Sequence, residues 1–123
     1  MQFVEKSENP QQCFEQYVIP EMKDPVRVFG ELMELAENRG IKVRLLPLKG
    51  YKSRLHKNRI GISDCLPFRE VVFELAFELA HAHIHSNCGD TIKSPDHKDY
   101  NRRAEFAACM MIDLLNIKIA YGK

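Results

Sequence analysis

Tryptophan is absent, and no apolar run approaches the roughly 20 residues that a membrane span requires. The opening stretch, MQFVEKSENPQQ, holds no apolar signal core, so export is not expected and the chain reads as cytoplasmic. Excess charge is also missing. With 18 Lys and Arg against 17 Asp and Glu the net is +1, which supplies no general pull toward nucleic acid or a membrane surface. The 4 cysteines (Cys13, Cys65, Cys88 and Cys109) form no CxxC pair, and in a chain without a signal they read as reduced thiols rather than a disulfide framework. No internal repeat and no low-complexity tract interrupts the chain. What is there is an ordinary globular composition, 45% hydrophobic and 28% charged over 123 residues, enough for one domain with a single core.

Pro10 and Pro20 limit any long helix near the N-terminus, so residues 1–22 read as an extension that packs on the domain or on a partner. The domain itself is expected over 23–123. Asp24 is a candidate cap, Pro25 suits a first helical position, and Gly40 is a stop. Val26, Phe29, Leu32, Met33, Leu35 and Ala36 recur between them at helical spacing, which predicts a helix over 25–39. IKVRLLPL predicts a strand with Ile41, Val43 and Leu45 on one face, ended or pushed to an edge by Pro47. KGYKSRLHKNRIGIS predicts a short strand, a turn at His56 to Asn58 and a strand through Ile60 and Ile62, so two or three antiparallel strands are expected. Ser63 or Asp64 can cap a second helix, with Pro67 in its first turn and Ser86 near its end. Residues 87–97 read as a loop. A last helix starts between Asp96 and Asp99 and carries Ala104, Phe106, Ala107, Met110, Met111, Leu114 and Leu115. The order is helix, small antiparallel sheet, two packed helices, an α+β class.

The chemistry concentrates in FELAFELAHAHIH, Phe73 to His85. At ~100° per residue, Glu78, His81 and His85 share a stripe while His83 points away. His81 and His85 stand one turn apart, the spacing at which two imidazoles can reach one metal. Glu78 reads either as a general base or as a carboxylate bonded to His81 or a neighbouring lysine. As a metal site His81 and His85 would take Glu78, Asp99 or Glu105 as a third ligand; equally, two histidines one turn apart can be a hydrogen-bonded pair on a polar groove. Cys88 and His97 extend a thin HxHxHxxC pattern suited to a soft metal. Cys109 sits in an apolar stripe and reads as inert core. Lys49, Lys52, Arg54, Lys57 and Arg59, with Tyr51 among them, form a basic hairpin that could touch phosphates or simply be solvated.

These residues resemble the ImmA/IrrE family of zinc metallopeptidases over roughly 25–115. The family pairs a strand and a short capped loop with a helix like FTLAHELGHxLLH. Here RIGIS, DCLPFRE and FELAFELAHAHIH stand in that order, followed by AEFAACMM in the place of the family's FAA-x-LL helix. On that resemblance Glu78 matches the motif glutamate, His81 the second motif histidine and His85 the trailing histidine, on a zincin-like minimal core. The first metal histidine of HExxH is Phe77, the motif glycine is Ala80, and Tyr100 or Arg102 stands where the family's downstream glutamate is expected.

The resemblance implies zinc as cofactor. With Phe77 in the first ligand place, the expectation for this chain is that no metal is held. Three readings follow. The first is a degenerate ImmA/IrrE-like domain, impaired in catalysis, that acts by recognising a protein. The resemblance implies a helix-turn-helix repressor as that partner, in regulation of the kind found in phages and mobile elements. The second is an active zinc endopeptidase with His81, His85 and an acidic residue as ligands. The third is a small nucleic-acid-binding module using the 49–59 hairpin.

Overall fold

A computed structural model describes residues 19–88 and 97–122, with the side chains of 84–88 and 97–100 left out. Helix α1 spans Pro25–Asn38, strands β1, β2 and β3 span Lys42–Leu46, Ser53–His56 and Arg59–Ser63, and helices α2 and α3 span Phe68–Cys88 and His97–Tyr121. The α+β class and the order of elements are those the sequence predicts.

Both ends of α1 are closed by local chemistry. The Asp24 carboxylate accepts from Arg27 N at 3.2 Å, and Pro25 fills the first position, where a missing N–H costs nothing. At the other end Gly40 takes φ +71. Gly40 N then donates to Glu37 O at 3.0 Å and Ile41 N to Ala36 O at 2.8 Å, the paired bonds of a Schellman stop. The chain thus leaves the helix already aimed into β1.

The sheet departs from expectation. Its order is β1-β3-β2, with β2 antiparallel to β3 but β1 parallel to β3, so it is mixed rather than antiparallel. Turn signals mark where the chain reverses, not which strand becomes the neighbour. β3 carries Ile60 and Ile62, both buried, and takes the central slot. β1 is left as an edge, where Leu45 is 54% exposed instead of sharing the covered face of Ile41 and Val43. The β2–β3 turn lies at Lys57, whose φ of 56 is left-handed. A second correction concerns α2, which begins at Phe68. Pro67 O accepts from Glu70 N and Val71 N, so Pro67 stands at the cap, while Ser63 Oγ accepts from Cys65 N within the preceding turn.

Helix α2 lies at the centre, touching α1, α3, β2 and β3. Val72, Phe73, Leu75 and Ala76 meet Val28 and Leu32 of α1, Ile60 and Ile62 of β3, and Ala108 and Ile112 of α3 in one core. Of the N-terminal extension, residues 1–18, Cys13 included, lie outside the described residues. Met22 is fully buried in the core, and Arg69 Nη1 donates to Met22 O at 3.0 Å. No described helix is long and apolar enough to cross a membrane.

Candidate functional site

An apolar helix that carries two glutamates one turn apart must place both on the same side. On α2 these are Glu74 and Glu78, 6% and 3% exposed, and they face β2. Alternation along β2 turns Ser53 and Leu55 inward and Arg54 and His56 outward. Ser53 Oγ then sits 2.7 Å from Glu74 Oε1 and 2.6 Å from Glu78 Oε2.

One hydroxyl has one proton to give. It can donate to only one of these carboxylates, so the other must bring a proton of its own. At pH values below about 7, Glu74 is the group that does so. Burial drives its pKa from 4.5 up to about 7, opposed by the Ser53 hydrogen bond and raised further by the Glu78 charge, with Lys52 lowering it. The chain of bonds is therefore Glu74 acid to Ser53 Oγ, and Ser53 hydroxyl to Glu78 carboxylate.

The chain continues through His81, itself buried. Its Nδ1 lies 3.2 Å from Glu78 Oε1, and its Nε2 lies 2.5 Å from Asn101 Oδ1 on α3. With that amide orientation both ring nitrogens carry hydrogen. With the amide turned, Asn101 Nδ2 donates and the ring is neutral. Glu105, one turn beyond Asn101, interacts electrostatically with His81. Its own pKa is raised, first by burial, with Arg102 and His81 acting in the opposite direction.

Phe77 closes the other side. Its ring centroid lies 4.5 Å from that of His81, tilted by 59°, and 6.5 Å from that of Phe73, stacked at 20°. Where HExxH would present an imidazole, an aromatic ring packs against the remaining histidine.

Zinc takes three or four N, S or O ligands at ~2.0–2.3 Å. Phe77 offers no donor, and His81 turns both nitrogens to partners within the protein. Among the described residues no group of three or more His, Cys, Asp or Glu is placed to hold a metal ion. The described donors do not make up a zinc set. The side chains of His85, Cys88, His97 and Asp99 lie outside the described residues.

Other predicted residues lie apart from this cluster, Lys52 at its edge excepted. His83 is exposed on α2, with Nδ1 3.3 Å from Arg39 Nη2 of α1. Cys109 packs against the core, and burial pushes its thiol up. In the basic hairpin, Lys52 pairs with Glu70 at 3.4 Å, and Arg54 stacks over Tyr51 at 4.8 Å. The sequence reading missed Ser53, Glu74 and Asn101. Glu74 had a signal, since FELAFELA repeats a glutamate at helical spacing on an apolar stripe. Ser53 and Asn101 had none, because their place depends on how β2 and α3 dock against α2.

The family model described as the IrrE N-terminal-like domain matches residues 36–118, more than half of the chain. That span contains the strands, all of α2 and most of α3, and so all five members of the polar chain. No curated protein and no solved structure matched.

Proposed function

Because the chain belongs to the IrrE N-terminal-like family, a metallopeptidase-type domain, we propose that it keeps the peptidase frame, has lost or nearly lost hydrolysis, and acts by recognising a protein. The observation that carries this reading is the engagement of His81. Its Nε2 meets Asn101, its Nδ1 meets Glu78, and its ring packs on Phe77. A histidine so held is a hydrogen-bonding member of a buried network, and freeing it for a metal costs those bonds. Glu78, the residue the resemblance assigns as base, bonds to Ser53 and His81. The partner class this reading favours is a helix-turn-helix repressor, in phage or mobile-element regulation inside the cell.

Metal analysis of protein purified without chelator tests the proposal, beside incubation with candidate repressors. The expected result is zinc well below one equivalent, unchanged by His81→Ala, with repressor bound but uncut. Stoichiometric zinc lost in His81→Ala would overturn it.

A second reading draws on the placement of Glu105 one helical turn beyond Asn101, near enough to His81 for the two groups to interact electrostatically. It is an active zinc endopeptidase with His81, His85 and Glu105 as ligands. It requires one equivalent of zinc in the wild type, lost in His85→Ala and in Glu105→Gln alike. If neither variant changes metal content or cleavage, this reading is wrong.

A further inference from the structure

Helix α3 has two apolar faces. Ala104, Ala108 and Ile112 point inward and are fully buried. Phe106, Met110, Leu114, Ile117 and Tyr121 recur at steps of three and four on the opposite side, between 48% and 84% exposed. An amphipathic helix normally turns polar residues outward. A contiguous exposed apolar stripe marks a contact that the described residues do not make.

From this stripe we infer that α3 pairs with α3 of a second copy of the chain, antiparallel about a twofold axis beside Leu114. The stripe is nearly palindromic in its spacing. Reversed about an axis midway between residues 113 and 114, Phe106 comes level with Tyr121 of the second copy, Met110 with Ile117, and Leu114 falls within one residue of itself. A twofold contact needs this property, because the same patch must serve both sides.

The area suffices. At these exposures the five side chains present on the order of 600 Å², so a pair that covered them completely would bury about 1,200 Å², at the lower limit of specific interfaces. A cavity of about 270 Å³ adjoins the stripe, lined by Leu35, Arg39, Leu79, His83, Ala107 and Met111. Ala107 follows Phe106, so Tyr121 of the second copy arrives at the cavity's edge. Its phenol there meets the polar rim that Arg39 and His83 supply, a fit for a ring with one polar end. The pairing does not depend on the metal or on hydrolysis.

Sedimentation velocity of the full chain from about 1 to 300 μM tests the inference. The expected result is a reversible dimer, with self-association weakened at least tenfold by Leu114→Glu, which sets two like charges across the axis. Circular dichroism should be unchanged, because Leu114 is 61% exposed and outside the core. Should Leu114→Glu fail to fold, Leu114→Cys decides: mild oxidation should join two chains through that position, as mapped by mass spectrometry. A chain monomeric throughout overturns the inference and leaves the stripe to a different protein. So does a dimer indifferent to Leu114→Glu, or a Leu114→Cys variant that does not cross-link through that position.

Discussion

Replacing Glu74 by glutamine should stabilise the domain at pH 8 and do little at pH 5. Glutamine reproduces the neutral acid, including a donor for Ser53 Oγ, but cannot ionise. Glu74 holds its proton with a pKa of about 7 in the folded chain, against 4.5 ordinarily. Below 4.5 the group is protonated in both states, and its full contribution to stability is present. Between 4.5 and about 7 the folded chain keeps a proton that the unfolded chain has released, so stability falls as pH rises. Above that window the loss is complete. At ~1.4 kcal/mol for each tenfold change, the ceiling is about 3 kcal/mol. Relaxation around a newly charged Glu74 lowers this toward ~2 kcal/mol. Urea titrations of the wild type and Glu74→Gln at pH 5, 6, 7 and 8 measure it, with slopes compared to confirm that both unfold alike. The two curves should separate progressively with pH, the variant above. A gap of constant size from pH 5 to 8 would refute the shared-proton argument, since it would mean that Glu74 titrates no differently in the two states.

The neighbouring substitutions have their own signatures. Ser53→Ala should cost about 1–3 kcal/mol, and more at pH 8 than at pH 5, because two charged carboxylates then lose their common donor; the same urea series reads it. Asn101→Ala removes the bond to His81 Nε2 and should cost about 1–2 kcal/mol in denaturant titrations. Phe77→His combined with Asn101→Glu restores two donors beside His81, and zinc affinity measured against a chromophoric chelator should rise at least 100-fold over the wild type. No gain would mean that α2 and α3 do not present those positions to a common point. Gly40→Ala should lower stability by about 1 kcal/mol, because φ +71 strains any residue with a Cβ.

Where short-range rules decide, the sequence was readable. Asp24, Pro25 and Gly40 mark the ends of α1 because caps and stops are local chemistry. The helical spacing of Phe68, Val71, Val72, Leu75, Ala76 and Leu79 predicts the apolar face of α2 for the same reason, and all of these are buried except Phe68, which is 42% exposed at the first position of the helix. His83 points away from the Glu78 stripe, as ~100° per residue requires. The sheet was harder. IKVRLLPL and RIGIS are both strand-like, and nothing local says that the second will take the centre and pair in parallel with the first. In the polar cluster, Glu78 and His81 were legible because they sit on one helix at a meaningful interval. Asn101 reaches His81 from another helix, across 20 positions of chain, and Ser53 reaches Glu78 across 25. Such contacts are set by docking, which no local pattern encodes.

Charge balance ties the site to the proposed loss of the ion. Two carboxylates one turn apart and almost wholly buried repel each other, and burial makes that repulsion worse. Something positive must lie between or beside them. In this chain hydrogen supplies it: the proton kept by Glu74, the hydroxyl of Ser53, and the ring N–H of His81 that points at Glu78. Lys52 adds a cation at the edge, shared with Glu70. A phenylalanine in the first ligand place is tolerable only in such a setting, because an apolar ring beside an uncompensated pair of carboxylates would raise the cost of both. The packed Phe73, Phe77 and His81 rings and the protonated Glu74 are then two parts of one adjustment. It follows that Phe77→His alone should bind metal weakly below pH 7 and more tightly above it, because a cation entering beside Glu78 competes with the proton that Glu74 holds. Zinc titrations at pH 6 and pH 8 distinguish this from simple histidine deprotonation. In Phe77→His combined with Glu74→Gln, the part of the pH dependence that belongs to Glu74 should vanish, and persistence of the full dependence would detach Glu74 from the site.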